Sequence, residues 1–433
     1  MKKSLLAIIS LFFLFMTLIG CSENETSSDS VSDGQGSSTN DEVTKVVFWD
    51  LFSGNDGEVM TEIVKEFNEE HPGIEVEKIT QEWGEYYTKL TTSVLGNQAP
   101  DLGVSHATRI TQLNKQGVIQ SMNDEVEKSG INFNELSENA VNATIVDGEH
   151  YAVPLDYHAL LLFYNKKVLD EMGLLNENGE PEFNNYDEFV NLLLEVKEKD
   201  PNITPLAMTG QGTHPFRLWY SFYKQLGGGD IYSAEEAKST IDVEIGKESL
   251  QAVYDLYHTH KVVPPRIESS DEMFQPGNAA FMINGTWAVN NTYKALGDDL
   301  GVMKFPTFFD KASVYADSHS FILPTNQKRD EKTTEAAMTF IKWVTDNGWK
   351  WSKAGHLPVS KTVLDSKELQ EQPFRSEYES MSEYMEYLPA NEKVWFASSS
   401  ELLDVLDAVW IDQYSVDQGV ESMQDVITKQ LQD

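Results

Sequence analysis

Cysteine is nearly absent from this chain: Cys21 is the single one in 433 residues. No disulfide can form within it, so its folded part must be held by burial alone. Positive charge is also short, with 33 Lys and Arg against 70 Asp and Glu and a formal net charge of -37 at pH 7. That balance argues against nucleic acid and anionic lipid surfaces as partners, and its simplest meaning is solubility. Catalytic signatures are missing too. There is no HExxH pair, GxSxG elbow, GxxxxGK[ST] phosphate loop or GxGxxG opening a helix, and Gly210-Gln211-Gly212 lacks the third glycine. Among the nine histidines, His258 and His260 stand two apart in a helical context, which points their rings away from each other. Asn176-Glu177-Asn178-Gly179 lacks the acidic first ligand of a calcium loop and reads as a turn. No metal site and no cofactor are expected. With 70 acidic residues a glycosidase-like carboxylate pair can always be imagined, and spacing along the chain demonstrates none.

What is present begins at the N-terminus. Lys2 and Lys3, an apolar run from Leu5 to Ile19 and the small Gly20 have the layout of a secretory signal peptide, residues 1–20. The run is too short to be a comfortable membrane span. Leu18-Ile19-Gly20-Cys21 resembles the lipobox of bacterial lipoproteins. The resemblance implies that the Cys21 thiol carries a diacylglyceryl group, whose two chains anchor a protein at ~0.8 kcal/mol per buried methylene. Residues 22–44 are Ser, Asp, Glu, Asn, Gly and Thr with scarcely an apolar side chain, a composition that cannot bury enough surface to fold. As a flexible tether they reach roughly 27 Å.

About 410 residues follow Cys21, more than the ~250 to 300 at which a single core stops growing, so two lobes are expected. The folded part opens with the β-rich run Val46-Val47-Phe48-Trp49. Next, Val59, Met60, Ile63, Val64 and Phe67 recur at helical spacing until Pro72-Gly73 ends the helix, and Ile74 to Ile79 alternate as a strand does. A second helix follows from Tyr86, then a strand from Asp101. Further helices are expected at 186–198, 249–260, 333–346 and 400–410. Strands alternating with amphipathic helices imply mainly parallel sheets covered on both faces, with a ligand at the strands' carboxyl ends.

Nine tryptophans and seventeen tyrosines are many for so polar a chain. Several stand beside turn residues: Trp49, Trp83, Trp287 and Trp395. Sugars present flat C–H faces bordered by hydroxyls, so a sugar site combines aromatic platforms with Asp, Asn, Arg, His or Tyr. Trp287, just after Gly285-Thr286, reads as such a platform. Trp219, between Leu218 and Phe222, reads as core.

The stretches GNQAPDLGV, DGEHYAVPLDYHALLLFYNKKVLDEMGL, NNYDEFVNLLLEVKE, NAAFMINGTWAV, GVMKFP, TEAAMTFIKWVTDNGWKW and GHLPVSKTV stand in an order that resembles one known family. It is that of the extracellular solute-binding proteins of the maltodextrin-binding-protein-like class, which serve ABC importers. The resemblance covers residues 45–433. It implies an α/β, two-lobed periplasmic-binding-protein-like fold of type II with a ligand cleft between the lobes. By analogy residues 45–153 and 317–364 form the N-terminal lobe, and residues 154–316 and 365–433 the C-terminal lobe, with a hinge near Pro154. Carried over by position, Arg109 matches a sugar-contacting arginine, with His106 close by. His158 falls at a ligand-binding glutamate, His214 and Phe216 at a glutamate and a tyrosine, and Trp287 at a stacking tryptophan, while Trp395 matches a second tryptophan loosely. Phe52 to Asp56, Asp317 and His319 face the cleft by the same analogy, and Asp156 and Tyr157 are their neighbours. Ser105 and Thr108 stand where the maltodextrin binder has a tryptophan and an aspartate, so its particular sugar does not carry over.

The function so implied is capture of a sugar, a neutral oligosaccharide, by a monomer anchored through Cys21 to the outer face of the cytoplasmic membrane. Lobe closure then delivers the sugar to the membrane subunits of an ABC permease. The alternatives are a binding protein for a sugar phosphate or polyol, or a secreted carbohydrate-active enzyme or adhesin. A phosphate ligand calls for clustered Arg or Lys, of which the cleft offers mainly Arg109 and Arg217.

Overall fold

A computed structural model describes residues 43–432 apart from 211, 266, 390, 392 and 394–400. Cys21, the run before it, most of the tether and Trp395 lie outside the described residues. Among the described residues, no helix is long and apolar enough to cross a membrane.

Strand β1 (Thr44–Asp50) turns Val46, Phe48 and Asp50 inward. Helix α1 (Gly54–Glu70) covers it with Val59, Met60, Ile63, Val64 and Phe67, the stripe its spacing predicts. Strand β2 (Ile74–Thr80) pairs parallel with β1, Val46 opposite Val76. After helix α2 (Tyr86–Leu95), strand β3 (Leu102–His106) joins the other side of β1, again in parallel. Then come β4 (Val153–Pro154) and the ten-residue β5 (Asp156–Asn165), buried along its whole length as a central strand must be.

The second half of the chain supplies α3 (Tyr186–Lys199), β6 (Thr204–Ala207), α4 (Thr213–Gln225), α5 (Val243–Tyr257), β7 (Ala279–Gly285), β8 (Leu300–Lys304), β9 (Val314–Asp317), β10 (His319–Ile322), α6 (Glu331–Asp346), β11 (Leu357–Pro358) and β12 (Met385–Glu386). Helices α7 (Glu401–Trp410) and α8 (Val416–Gln432) close it. Helix α4 is buried on most of its surface, Phe216, Trp219, Tyr220, Phe222 and Tyr223 included, so Trp219 is core as its flanks suggested. Helix α5 starts at Val243 rather than at Ser249, because the Asp242 carboxylate accepts hydrogen bonds from the Glu244 and Ile245 amides and caps it there.

Two sheets result. One runs β2-β1-β3-β10-β4, and the other runs β12-β9-β5-β7-β6 with β8 and β11 also paired to β5. The expectation of mainly parallel sheets holds for β1, β2 and β3 and for the pairs β6–β7 and β9–β12, and fails at the crossings and around β5: β10 is antiparallel to β3 and β4, and β5 is antiparallel to β7, β8, β9 and β11. The reason is directional. The chain passes from the first sheet to the second through β4-Leu155-β5 and returns through β9-Ser318-β10, so neighbouring crossings run in opposite senses. The Leu155 amide donates to the His319 carbonyl at 2.7 Å, locking the two together. A third segment, β11, lies against the same end of β5, with Leu357 opposite Tyr157 and Pro358 opposite Asp156.

Candidate functional site

The crossings bring side chains from distant stretches to one place. On β5 successive side chains point to opposite faces. Tyr157 therefore enters the core, while Asp156 and His158 share the other face. Asp156 is fully buried. Its Oδ1 lies 3.3 Å from His158 Nδ1 and accepts from the His319 amide at 2.9 Å; its Oδ2 lies 2.7 Å from His319 Nδ1 and accepts from Trp351 Nε1 at 2.7 Å. On the third segment His356 places Nδ1 3.2 Å from Thr286 Oγ1 and Nε2 3.1 Å from Asp56 Oδ2. The last residue of β3 adds His106, whose Nδ1 lies 2.7 Å from the Tyr87 hydroxyl.

These rings form the floor of a cavity of about 220 Å3. Phe52, Asp56, Trp83, His106, His158, His214, Trp287 and His319 all line it, as does His356. Phe52 stands edge-on to His319 with centroids 5.0 Å apart. Opposite, the Arg217 guanidinium lies over the Trp287 ring at 5.0 Å. A larger recess of about 700 Å3 runs along the charged flank of α6 past Glu125, Glu331 and Trp343, remote from these groups.

The position of Trp287 depends on Gly285, which ends β7: a Cβ at that residue would sit 2.1 Å from the indole. Only a residue without a side chain lets the ring lie against the strand end.

Burial sets the charge states. It pushes His158 down to about 3, with His319 adding to the effect and Asp156 opposing it. His214 is pushed to about 3 by burial and then by the Arg217 charge, and His106 is held well below its usual range by burial together with His319 and His158. For Asp156 burial favours the neutral form, but His319 and His356 outweigh it and hold the carboxyl well below the usual range. Burial likewise opposes charge on His356, yet Asp56 and Asp156 prevail and raise it. The cavity thus combines neutral imidazoles with a small set of charged groups and three aromatic side chains.

Other residues expected at the site stand elsewhere. Arg109 does not reach the cavity. Its guanidinium stacks on Tyr87 at 4.5 Å and bonds Gln112 one turn on, so it faces a separate recess beside Thr88 and Thr91. Phe216 points into the core against Trp219, Tyr220 and Tyr315. Trp49 is half-buried and packs on the cluster around Leu51 and Tyr86. Asp317 is buried behind the cavity, where it accepts from the Thr108 hydroxyl at 2.7 Å and from the Ser318 amide at 2.8 Å. Asp156 and Tyr157 support the floor without lining it. Trp395 lies outside the described residues.

Arg217, named beforehand as one of the two cations of the cleft, does line the cavity, whereas His356 was not among the residues expected there, although it stands in a stretch that carries the family resemblance. One further cluster was not legible in spacing along the chain. Asp156, His158, His319 and His356 present ligand atoms that all lie within 4.8 Å of one another. The expectation of no metal site rested on short spacings, and these four residues come from three separate crossings.

Two sheets joined by crossing strands, with an aromatic and polar cavity where they cross, define a two-lobed solute-binding protein. The chain belongs to the family of bacterial extracellular solute-binding proteins, whose model matches residues 53–351. Among curated relatives, the arabinooligosaccharide-binding protein of Halalkalibacterium halodurans is 27% identical over 271 residues, 60% of this chain and 58% of that protein. The maltotriose-binding protein of Pyrococcus abyssi is 22% identical over 344 residues, 76% of this chain and 69% of its own. Among solved structures, the GacH receptor of Streptomyces glaucescens superposes with a TM-score of 0.77 at 20% identity, covering 90% of this chain and 99% of the receptor. Maltose-bound MalE3 of T. maritima gives 0.73 at 20% identity, with coverages of 90% and 99%. The two-lobed α/β fold is shared with both.

Proposed function

We propose that this chain is the substrate-binding subunit of an ABC importer and captures a neutral oligosaccharide in the cavity between its lobes. The observation that carries the reading is the cavity lining itself. The half-buried Trp83 and Trp287 offer apolar rings, backed by the buried Phe52, and Asp56, Arg217 and the histidines offer donors and acceptors beside them, the pairing a sugar ring needs. The names of the arabinooligosaccharide- and maltotriose-binding relatives support the same ligand class.

In this reading the lobes comprise residues 45–153 with 317–364 and residues 154–316 with 365–433, and they pivot at Leu155 and Ser318. Sugar that touches both lobes only when they close favours the closed state by its differential affinity, and the membrane permease reads that state. No bond is made or broken. The protein acts as a monomer on the outer face of the cytoplasmic membrane, tethered by acyl chains on Cys21. Titration calorimetry of the full chain against arabino- and malto-oligosaccharides, followed by chromatography of the recovered sugar, tests this. One-to-one binding with the sugar intact supports a receptor. Absence of binding across the panel, or shortened sugar, contradicts it.

A further inference from the structure

We propose that Asp156, His158, His319 and His356 bind a divalent transition-metal ion, of the zinc type, at the point where the three crossing segments meet. The donor set is three imidazoles and one carboxylate, all buried, with ligand atoms within 4.8 Å of one another. Zinc takes such nitrogen and oxygen donors at ~2.0–2.1 Å in a tetrahedron, which sets them about 3.4 Å apart. Pairs as far apart as 4.8 Å must close by up to about 1.4 Å to match. The ring positions agree as well. The imidazole centroids of His158 and His319, His319 and His356, and His158 and His356 are separated by 4.4, 5.4 and 5.7 Å. Three imidazoles bound through nitrogen to one tetrahedral ion have centroids about 5 Å apart.

The surroundings are those of a held site. Both oxygens of Asp156 are fixed, by the His319 amide at 2.9 Å and by Trp351 Nε1 at 2.7 Å, so the carboxylate cannot swing away. Asp56 lies 3.1 Å from His356 Nε2 and Thr286 lies 3.2 Å from its Nδ1; one of the two gives way when that ring ligates, and the other then orients it from behind. Imidazole donors select zinc, copper, nickel or cobalt over calcium and magnesium, which want oxygen shells.

Position gives the ion a consequence. Asp156 and His158 belong to the first crossing, His319 to the second and His356 to the third, so one ion ties all three hinge segments together. His158, His319 and His356 also line the cavity, which puts the ion at its floor.

The test uses the full chain, stripped of metal with a chelator and without a histidine tag, at about 0.15 M ionic strength to screen its acidic surface. Zinc alone is titrated, with no sugar present, so the outcome is independent of the ligand reading. One zinc per chain is expected, with no uptake of calcium or magnesium. His158→Gln and His319→Gln each weaken binding by at least about tenfold, whereas His258→Gln leaves it unchanged. Cobalt added to the unmutated chain gives the intense visible bands of a four-coordinate ion, a readout that does not depend on any variant folding. Failure to take up zinc, uptake equal in the His158 and His319 variants, or the faint spectrum of six-coordinate cobalt overturns the assignment and leaves a hydrogen-bonded hinge network.

Discussion

Gly285 and Trp287 show how closely a binding surface can depend on a residue that binds nothing. The indole occupies the volume a side chain at Gly285 would fill, since a Cβ there would approach it to 2.1 Å. Gly285→Ala forces the ring off its seat, and overpacking of this kind costs about 1–3 kcal/mol. Oligosaccharide affinity should fall by about tenfold or more, together with a change in tryptophan fluorescence; unchanged affinity would mean that Trp287 is not the platform. His214 carries a prediction about pH. Its folded form stays neutral down to about 3, while in the unfolded chain it charges near the ordinary histidine value of about 6.5. Below that value the unfolded state binds the extra proton, so this residue's share of stability is intact above pH ~6.5 and drains away as pH falls toward 3, by at most about 1.4 kcal/mol per pH unit. Thermal melts at pH 7 and pH 5 should differ less in His214→Gln than in the unmutated chain. Analogy placed His214 in the cavity, and Trp287 was placed there by its turn setting as well as by analogy; Arg109, expected there by analogy, stands outside the lining because its guanidinium finds a nearer surface in Tyr87. A match by position along the chain carries no information about such a rotamer choice.

Elements were legible where one periodicity ruled. The stripe Val59, Met60, Ile63, Val64 and Phe67 reads as helix α1 without tertiary help, and it is buried as read. Helix α5 was legible in its apolar face and not in its start, where the determining feature is the cap: Asp242 Oδ1 accepts from two amides at 3.0 Å. Removing that acceptor costs about 1 kcal/mol. Asp242→Ala should therefore lower stability by that amount in denaturant unfolding while leaving oligosaccharide affinity as it was, since α5 contributes nothing to the cavity lining. A loss of affinity would show that this helix bears on the site. The short strands β4, β10 and β11 were the least readable elements. Each spans two to four residues, too few for an alternation to declare itself, and each is a strand only because a crossing partner lies beside it.

At the scale of the whole molecule, the two-lobed organisation followed from chain length and from the ordered family stretches, whereas the meeting of the crossings did not. Asp156, His319 and His356 are brought together by the pairing of β5 with β11 and of β4 with β10, which no local pattern encodes. The cavity sits at that meeting point, and its aromatic walls and polar floor come from segments on both sides of the crossings. In the proposed function such a molecule senses ligand by how far its lobes close upon it. The central claim is that a sugar held against Trp287 is what closes them. Its most direct test is titration calorimetry of the unmutated chain and of Trp287→Ala with the same oligosaccharide. Tight one-to-one binding that weakens at least about tenfold in the variant, the loss of one stacked aromatic platform, is the predicted result. Equal affinity in the two proteins would contradict the account and place the ligand elsewhere.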